Sequence, residues 1–277
     1  MHKFSVDTIL KKINNEECFW AVAEDYSFTL KITNYTHFAC FAIHNGHQFR
    51  KDLWDNCLHS EYDRWFEEDP ETATFIADQP IVMAGCDSRF EYDLNRAPEA
   101  AVFKEAWGKQ LWKKPLLEDA INKSLEKHNN FYRVVKALID KIEELHGEAL
   151  VYDVHSYNYK RWDRFVPTFN LGTSLVDTKK FQSSITLWQE LLSTSVLPQK
   201  INTDCLINDV FKGEGFLLKF ITQHFKNTLV LATEIKKIYC NELEEVLFPE
   251  IIQALKENIN TAIIKHSSKF AADFAKR

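Results

Sequence analysis

Residues 148–156, EALVYDVHS, follow directly on a long amphipathic stretch, LEDAINKSLEKHNNFYRVVKALIDKIEELHG (117–147). Apolar residues recur in that stretch at helical spacing, and Gly147 is placed to end the helix. The run after it is apolar and β-forming, so a strand is expected where the helix stops. The same kind of run recurs along the chain. HFACFAIHNGH (37–47) reads as a buried strand entering an Asn45-Gly46 loop, and PIVMAG (80–85) as a short strand. TLVLATEIKKIYC (228–240) reads as an apolar strand interrupted by Glu234. DNCLHSEYDRWFEEDP (55–70) is helix-like with a proline stop, and TKKFQSSITLWQELLSTSV (178–196) is helical. The region around PTFNLGTS (167–174) reads as loop, and the last forty residues as helix. Strands alternating with helices specify an α/β fold, a three-layer sandwich with a mixed, mostly parallel central sheet. No internal repeat or low-complexity linker interrupts the chain, so residues 1–277 are expected to form one domain.

Composition narrows the function classes. A hydrophobic fraction of 45% and 13% aromatics supply a large core, which excludes a disordered chain. With 34 basic against 40 acidic residues the formal charge is −6, and no basic footprint for nucleic acid exists. Trp107, Trp112 and Trp162 sit near lysines but accompany no recognition motif; they read as core or pocket walls. No apolar run approaches the roughly 18 residues of a membrane span. The start, MHKFSVDTILKKINNEE, has no apolar signal core, so a cytoplasmic protein is expected. The six cysteines are scattered and form no C-x-x-C pair, which argues against a zinc knuckle or redox motif and for reduced, mostly buried thiols. Neither G-x-G-x-x-G nor a phosphate-binding P-loop is present.

What remains is the polar chemistry at strand ends. In α/β sheets of this kind ligands bind beyond the carboxyl ends of the strands. His44, the segment DSRFEYDLNR (87–96) and His155 all fall just after or at the end of an expected strand. Each has an ordinary reading by itself: a histidine after a strand is commonly structural, and an arginine pair is commonly surface charge. Glu234 is different in kind, because a carboxylate in an apolar strand is costly to bury without a partner, unless it lies on an edge facing water. Asp153 and His155, two apart, point to the same face of their strand.

Taken together and in order, these pieces resemble the N-formylglutamate amidohydrolases, relatives of the zinc carboxypeptidases. The pieces are His44-Asn45-Gly46 after a strand, Ser88-Arg89 with Asp93-Leu94-Asn95-Arg96, Asp153 to Ser156, and Asn170 to Thr173. Lys212-Gly213-Glu214-Gly215 and Thr233-Glu234-Ile235 with Tyr239 complete them, the whole running from about residue 38 to 242. The resemblance implies the sandwich of the zinc carboxypeptidase and phosphorylase/hydrolase-like folds. It implies a metal-dependent amidohydrolase using zinc or another divalent ion. Its substrate would be the N-acyl amide of a small acidic amino acid, N-formyl-L-glutamate first. A catalytic zinc takes three protein ligands and keeps one position open. His44 and His155 are the implied histidine ligands, with Asp153 steadying His155. The third ligand departs from the carboxypeptidase H-x-x-E, because His47 stands at the fourth position. An acid after the following helix is the family's alternative, and FEEDPET offers Glu67, Glu68 and Asp69; Asp69 is preferred, with His47 and Glu68 behind it. Glu234 is the implied general base and Arg89 the oxyanion partner. Asn95 and Arg96, with Lys212, would bind a substrate carboxylate. A carboxypeptidase-like peptidase, a deacylase for another N-acyl compound, and a non-catalytic metal- or ligand-binding relative stay open.

Overall fold

The computed structural model describes residues 1–274. Nine strands form one twisted sheet. In chain order they are β1 (His2–Phe4), β2 (Phe19–Ala23), β3 (Phe28–Ile32), β4 (Phe38–Ala42) and β5 (Ile81–Gly85), then β6 (Ala149–Tyr157), β7 (Phe169–Gly172), β8 (Cys205–Ile207) and β9 (Thr228–Lys236). Their spatial order is β1-β2-β3-β5-β4-β6-β9-β7-β8. The four central strands, β5, β4, β6 and β9, are all parallel. Antiparallel pairing enters only at β2–β3, β3–β5 and β9–β7. The sheet is therefore mixed and mostly parallel, as the alternation of strand and helix requires.

Helices cover both faces. On one side α1 (Val6–Asn14), α3 (Glu118–His146) and α5 (Phe216–His224) pack Ile9, Ile13, Val135, Leu138, Ile142 and Leu217 against the sheet. On the other, α4 (Thr178–Ser193) and α6 (Pro249–Phe274) bring Phe181, Ile185, Trp188, Leu255 and Ile263. Residues 51–60 and 103–112 lie over a third, smaller cluster of Leu53, Phe90, Leu111 and Trp112.

The alternation along β6 explains how the sheet builds a site. Leu150, Tyr152 and Val154 enter the α4/α6 core, while Ala149 and Val151 enter the α1/α3 core. Asp153 and His155 continue that second face, so its apolar row turns polar at the carboxyl end. Strand β9 repeats the device: Val230 and Ala232 pack on the same side and Glu234 follows them. The two strands run in register with Glu234 opposite His155.

Three expectations need correction. The helix expected over 55–70 is confined to α2 (Glu61–Glu67), because the Ser60 side chain caps it at Asp63 N and residues 55–60 turn beforehand. PTFNLGTS contains strand β7, which pairs antiparallel with β9 and parallel with β8. Four residues including Asn170 carry little local strand signal; the sheet edge supplies it. The final helix starts only at Pro249, after a small hairpin of Cys240–Asn241 with Val246–Leu247. Residues 1–36, to which no element was assigned above, supply β1, α1, β2 and β3. Long helix α3 ends at Gly147, as expected.

Candidate metal centre

The carboxyl ends of β4, β6 and β9 converge on one cavity of about 520 Å³, which the segment after β5 lines with Arg89, Asn95 and Arg96. Strand β4 brings His44 just past its end, β6 brings Asp153 and His155, and β9 brings Glu234. Asp69 arrives from the segment after α2. Its backbone N–H donates to His44 O at 2.9 Å, which fastens that segment to the end of β4. Thr72 Oγ1 donates to Asp69 O at 2.7 Å, and Asn45 Oδ1 accepts from Ala73 N, so the turn is held from both sides.

His44, Asp69 and His155 are buried, and their ligand atoms lie together. His155 Nδ1 is 3.2 Å from His44 Nδ1, and Asp69 Oδ2 is 3.3 Å from His155 Nδ1 and 3.4 Å from His44 Nδ1. The outer ring nitrogens lie beside carboxylates: His44 Nε2 hydrogen-bonds Asp93 Oδ1 at 2.7 Å, while His155 Nε2 is 2.9 Å from Asp153 Oδ1 as an ion-pair contact without hydrogen-bond geometry. With the Nε2 proton of His44 on Asp93 and the Asp153 charge beside Nε2 of His155, both Nδ1 atoms turn lone pairs toward each other and toward Asp69. Three such atoms repel unless a proton or cation lies among them. Tetrahedral zinc with bonds near 2.0–2.1 Å separates its ligand atoms by about 3.3 Å. The triangle therefore has the size, the donor set and the carboxylate-backed imidazoles that zinc or another divalent ion requires.

Electrostatics follow from the same packing. Burial disfavours charge on His155, yet Asp153 and Asp69 hold its imidazole well above its ordinary value. Asp69 is buried too, but the two histidines keep it below the usual carboxylate range. Asp93, in spite of burial, is held well below that range by Arg89 and His44. Glu234 faces the cavity, where desolvation, opposed by His155 and reinforced by Asp69 and Asp153, pushes it up to about 8.

The other expected residues take distinct places. Arg89 lines the cavity, but its Nη2 and Nε donate to Asp93 Oδ2 at 2.7 and 3.2 Å and its Nη1 to Glu67 O at 3.2 Å. Arg96 and Lys212 stand exposed at the cavity mouth, and neither pairs with a carboxylate among the described residues. Asn95 lines the cavity and accepts from Leu217 N at 3.3 Å, holding the start of α5. The Lys212–Gly215 segment reaches the mouth by crossing the end of β7. A Cβ on Gly172 would lie 2.4 Å from the Gly213 backbone, so only glycine permits the crossing. The alternative ligands His47 and Glu68 pair with each other and do not join the triangle.

Two residues with no role assigned from sequence matter here. Asp93 links His44 to Arg89; in the sequence it stands only as a member of the Asp93-Leu94-Asn95-Arg96 piece, without a role. Lys237, 1% exposed, donates from Nζ to Phe66 O and Glu68 O at 2.8 and 2.7 Å, tying β9 to the segment that carries Asp69. No local pattern distinguishes it from its neighbour Lys236.

Comparison with known proteins first defines a class, hydrolases acting on amides. The chain belongs to the N-formylglutamate amidohydrolase family, which it matches over residues 40–238. Among solved structures it is similar to an N-formylglutamate amidohydrolase from Ralstonia eutropha, with a TM-score of 0.71, 16% identity, and coverage of 88% of this chain and 97% of that one. It is also similar to a gene product of Agrobacterium tumefaciens, with a TM-score of 0.64, 16% identity, and coverage of 86% and 95%. A metallo-carboxypeptidase from Burkholderia cenocepacia aligns at a TM-score of 0.41 and 15% identity, over 88% of this chain and 61% of that one. No curated protein matches the chain. Among the described residues no helix is long and apolar enough to cross a membrane.

Proposed function

We propose that the protein hydrolyses the N-acyl amide of a small acidic amino acid, N-formyl-L-glutamate first, releasing L-glutamate and formate. The observation that carries this reading is the triangle of His44, Asp69 and His155, sized for a tetrahedral ion and backed by Asp93 and Asp153. Those three residues would hold zinc or another divalent ion. When bound, such an ion lowers the pKa of a water and polarises the scissile carbonyl.

The chain's own groups supply the rest. Glu234, opposite His155 on the neighbouring strand, takes the proton of the attacking water and returns it to the leaving amine. Asp93 holds the His44 imidazole by a hydrogen bond in the orientation that turns Nδ1 inward, and Asp153 sets its negative charge beside Nε2 of His155. Arg89 places positive charge beside the reacting carbonyl while it anchors Asp93. Arg96, whose guanidinium has no carboxylate partner among the described residues, receives a substrate carboxylate in its planar fork, with Lys212 beside it at the mouth. Asn95 keeps the wall between them in place.

The test is the release of L-glutamate from N-formyl-L-glutamate by zinc-loaded protein, with and without a chelator. Turnover that the chelator abolishes and zinc restores is expected. Turnover indifferent to the chelator would remove the ion from the mechanism. Protein that holds zinc but releases no glutamate would discard this substrate in favour of other N-acyl or peptide amides.

A further inference from the structure

One bulky residue at the cavity sits in a backbone conformation that disfavours it. Glu105–Ala106 and Lys109–Gln110 pair as a two-residue hairpin whose loop is Trp107-Gly108. Trp107 has φ +53° and Gly108 φ +71°. Both loop positions are left-handed, the pattern in which asparagine or glycine ordinarily takes the first place. A large side chain there is an outlier that persists only when its surroundings hold it. Trp107 gains no burial in either main core by being there. It packs instead against the third, smaller cluster and takes a position on the cavity wall.

The contacts show what that position does. The indole lies over the Arg89 guanidinium at 5.2 Å, tilts against Phe90 at 4.9 Å and meets Phe103 edge-on at 5.5 Å. Phe103 in turn lies under the Arg96 guanidinium at 5.6 Å. Arg89, Trp107, Phe103 and Arg96 thus form one continuous row, in which Arg89, Trp107 and Arg96 line the cavity and Phe103 supports Trp107 and Arg96 without lining it. It runs from the arginine that anchors Asp93 to the arginine with a free fork. Cation–π contact steadies both guanidiniums without consuming their in-plane hydrogen-bond donors. Between the charges the wall is aromatic, which suits a short aliphatic chain and not a second charge. The hairpin meets Glu67 through Lys109 Nζ, 3.7 Å from Oε1, and His59 Nε2 lies 2.8 Å from Gln110 O.

We propose that Trp107 is a specificity-determining residue of the cavity: its indole, presented by the strained hairpin, packs against the aliphatic spacer between the scissile amide and the distal carboxylate of the substrate. This rests on the carboxylate-binding reading of Arg96 given above. It makes the aromatic wall a ruler that favours an acidic side chain with a methylene spacer over a short apolar one.

The experiment compares wild-type protein with Trp107→Asn, which keeps a residue tolerant of the left-handed backbone, and Trp107→Phe. Each is zinc-loaded and measured for kcat and KM on N-formyl-L-glutamate and N-formyl-L-alanine, for L-glutamate affinity by calorimetry, and for melting temperature. In Trp107→Asn we expect KM for the glutamate derivative to rise about tenfold with kcat falling no more than about threefold, and its preference over the alanine derivative to narrow. Affinity for L-glutamate should weaken in parallel, the melting temperature should hold, and Trp107→Phe should recover part of the loss. An unchanged KM and L-glutamate affinity in Trp107→Asn overturns the proposal, as does a lower melting temperature with unaltered preference, which would make the ring a packing element. Wild-type protein that binds L-glutamate yet hydrolyses neither substrate overturns the reaction and leaves the wall to be judged by affinity. Wild-type protein that neither binds nor hydrolyses overturns both.

Discussion

Two buried histidines beside one strand have been driven in opposite directions. His155 sits at the carboxyl end of β6, and His266, on α6, meets Tyr152 of the same strand three residues earlier on the other face. His266 is enclosed by neutral partners. Its Nε2 donates to Ser184 O at 2.9 Å and its Nδ1 accepts from Tyr152 Oη at 2.7 Å. Burial, with His37 nearby, pushes it down to about 4. His155 is as deeply buried, but Asp153 and Asp69 hold it above its ordinary value. Burial alone makes a histidine neutral and inert; carboxylates delivered by the ends of parallel strands make it a charged or cation-binding group. The same sheet is a core along its length and a candidate reaction site at one end.

The largest effect should come from Glu234, which faces the cavity at the carboxyl end and has no ion-pair partner among the described residues. Glu234→Gln is expected to lower kcat by about 10³-fold while zinc affinity stays within error, since the residue lies outside the ligand triangle. Single-turnover kinetics beside zinc titration would check it, and near-normal turnover would remove Glu234 as the base. A smaller effect is expected one step behind the triangle. Asp93→Asn keeps the shape but removes the charge that holds His44 Nε2 and Arg89. Zinc affinity, measured by chelator competition, should fall about 10- to 100-fold. If it does not change, the carboxylate behind His44 is not what separates this histidine from His266.

Most of the contrast could be read in the chain before folding. The apolar runs at 37–47, 80–85, 148–156 and 228–240 carry their own β signal, and each is followed or ended by the polar residues of the site. Their parallel arrangement follows because crossover connections far longer than a hairpin turn separate them. The site was less legible where it depends on turns. Asp69 reaches the triangle through one backbone hydrogen bond to His44 O, and neither spacing nor periodicity distinguishes it from Glu67 or Glu68. Strand β7 was read as loop because pairing with β9, not local preference, makes it a strand. Trp107 could be named as a wall residue, but its left-handed backbone is set by a hairpin of two-residue strands too short to register in sequence. His266 escaped notice for the opposite reason: a histidine in a helix looks like any other until its neighbours are known.

The smallest effect tests the inert side of the comparison, and its sign is fixed by linkage. The ordinary value, 6.5, describes His266 in the unfolded chain, and about 4 describes it in the folded one. Above pH 6.5 neither state binds the proton, and the contribution of the neutral ring is fully present. As pH falls through 6.5 the unfolded chain takes up a proton that the folded protein excludes, because a protonated Nδ1 could no longer accept from Tyr152 Oη. Stability therefore declines until pH reaches about 4, below which both states are protonated and the loss stops growing. Between pH 7.5 and 5.5 this amounts to about 1 kcal/mol. Other groups titrate in that window, so the quantity to measure is a difference: denaturant unfolding of wild type and His266→Gln at both pH values. Wild type should lose about 1 kcal/mol more than the variant, whose amide has no proton to gain. An equal loss in both would mean that the ring accepts its proton inside the core, and the division of this sheet into an inert length and a reactive end would then rest on His155 alone.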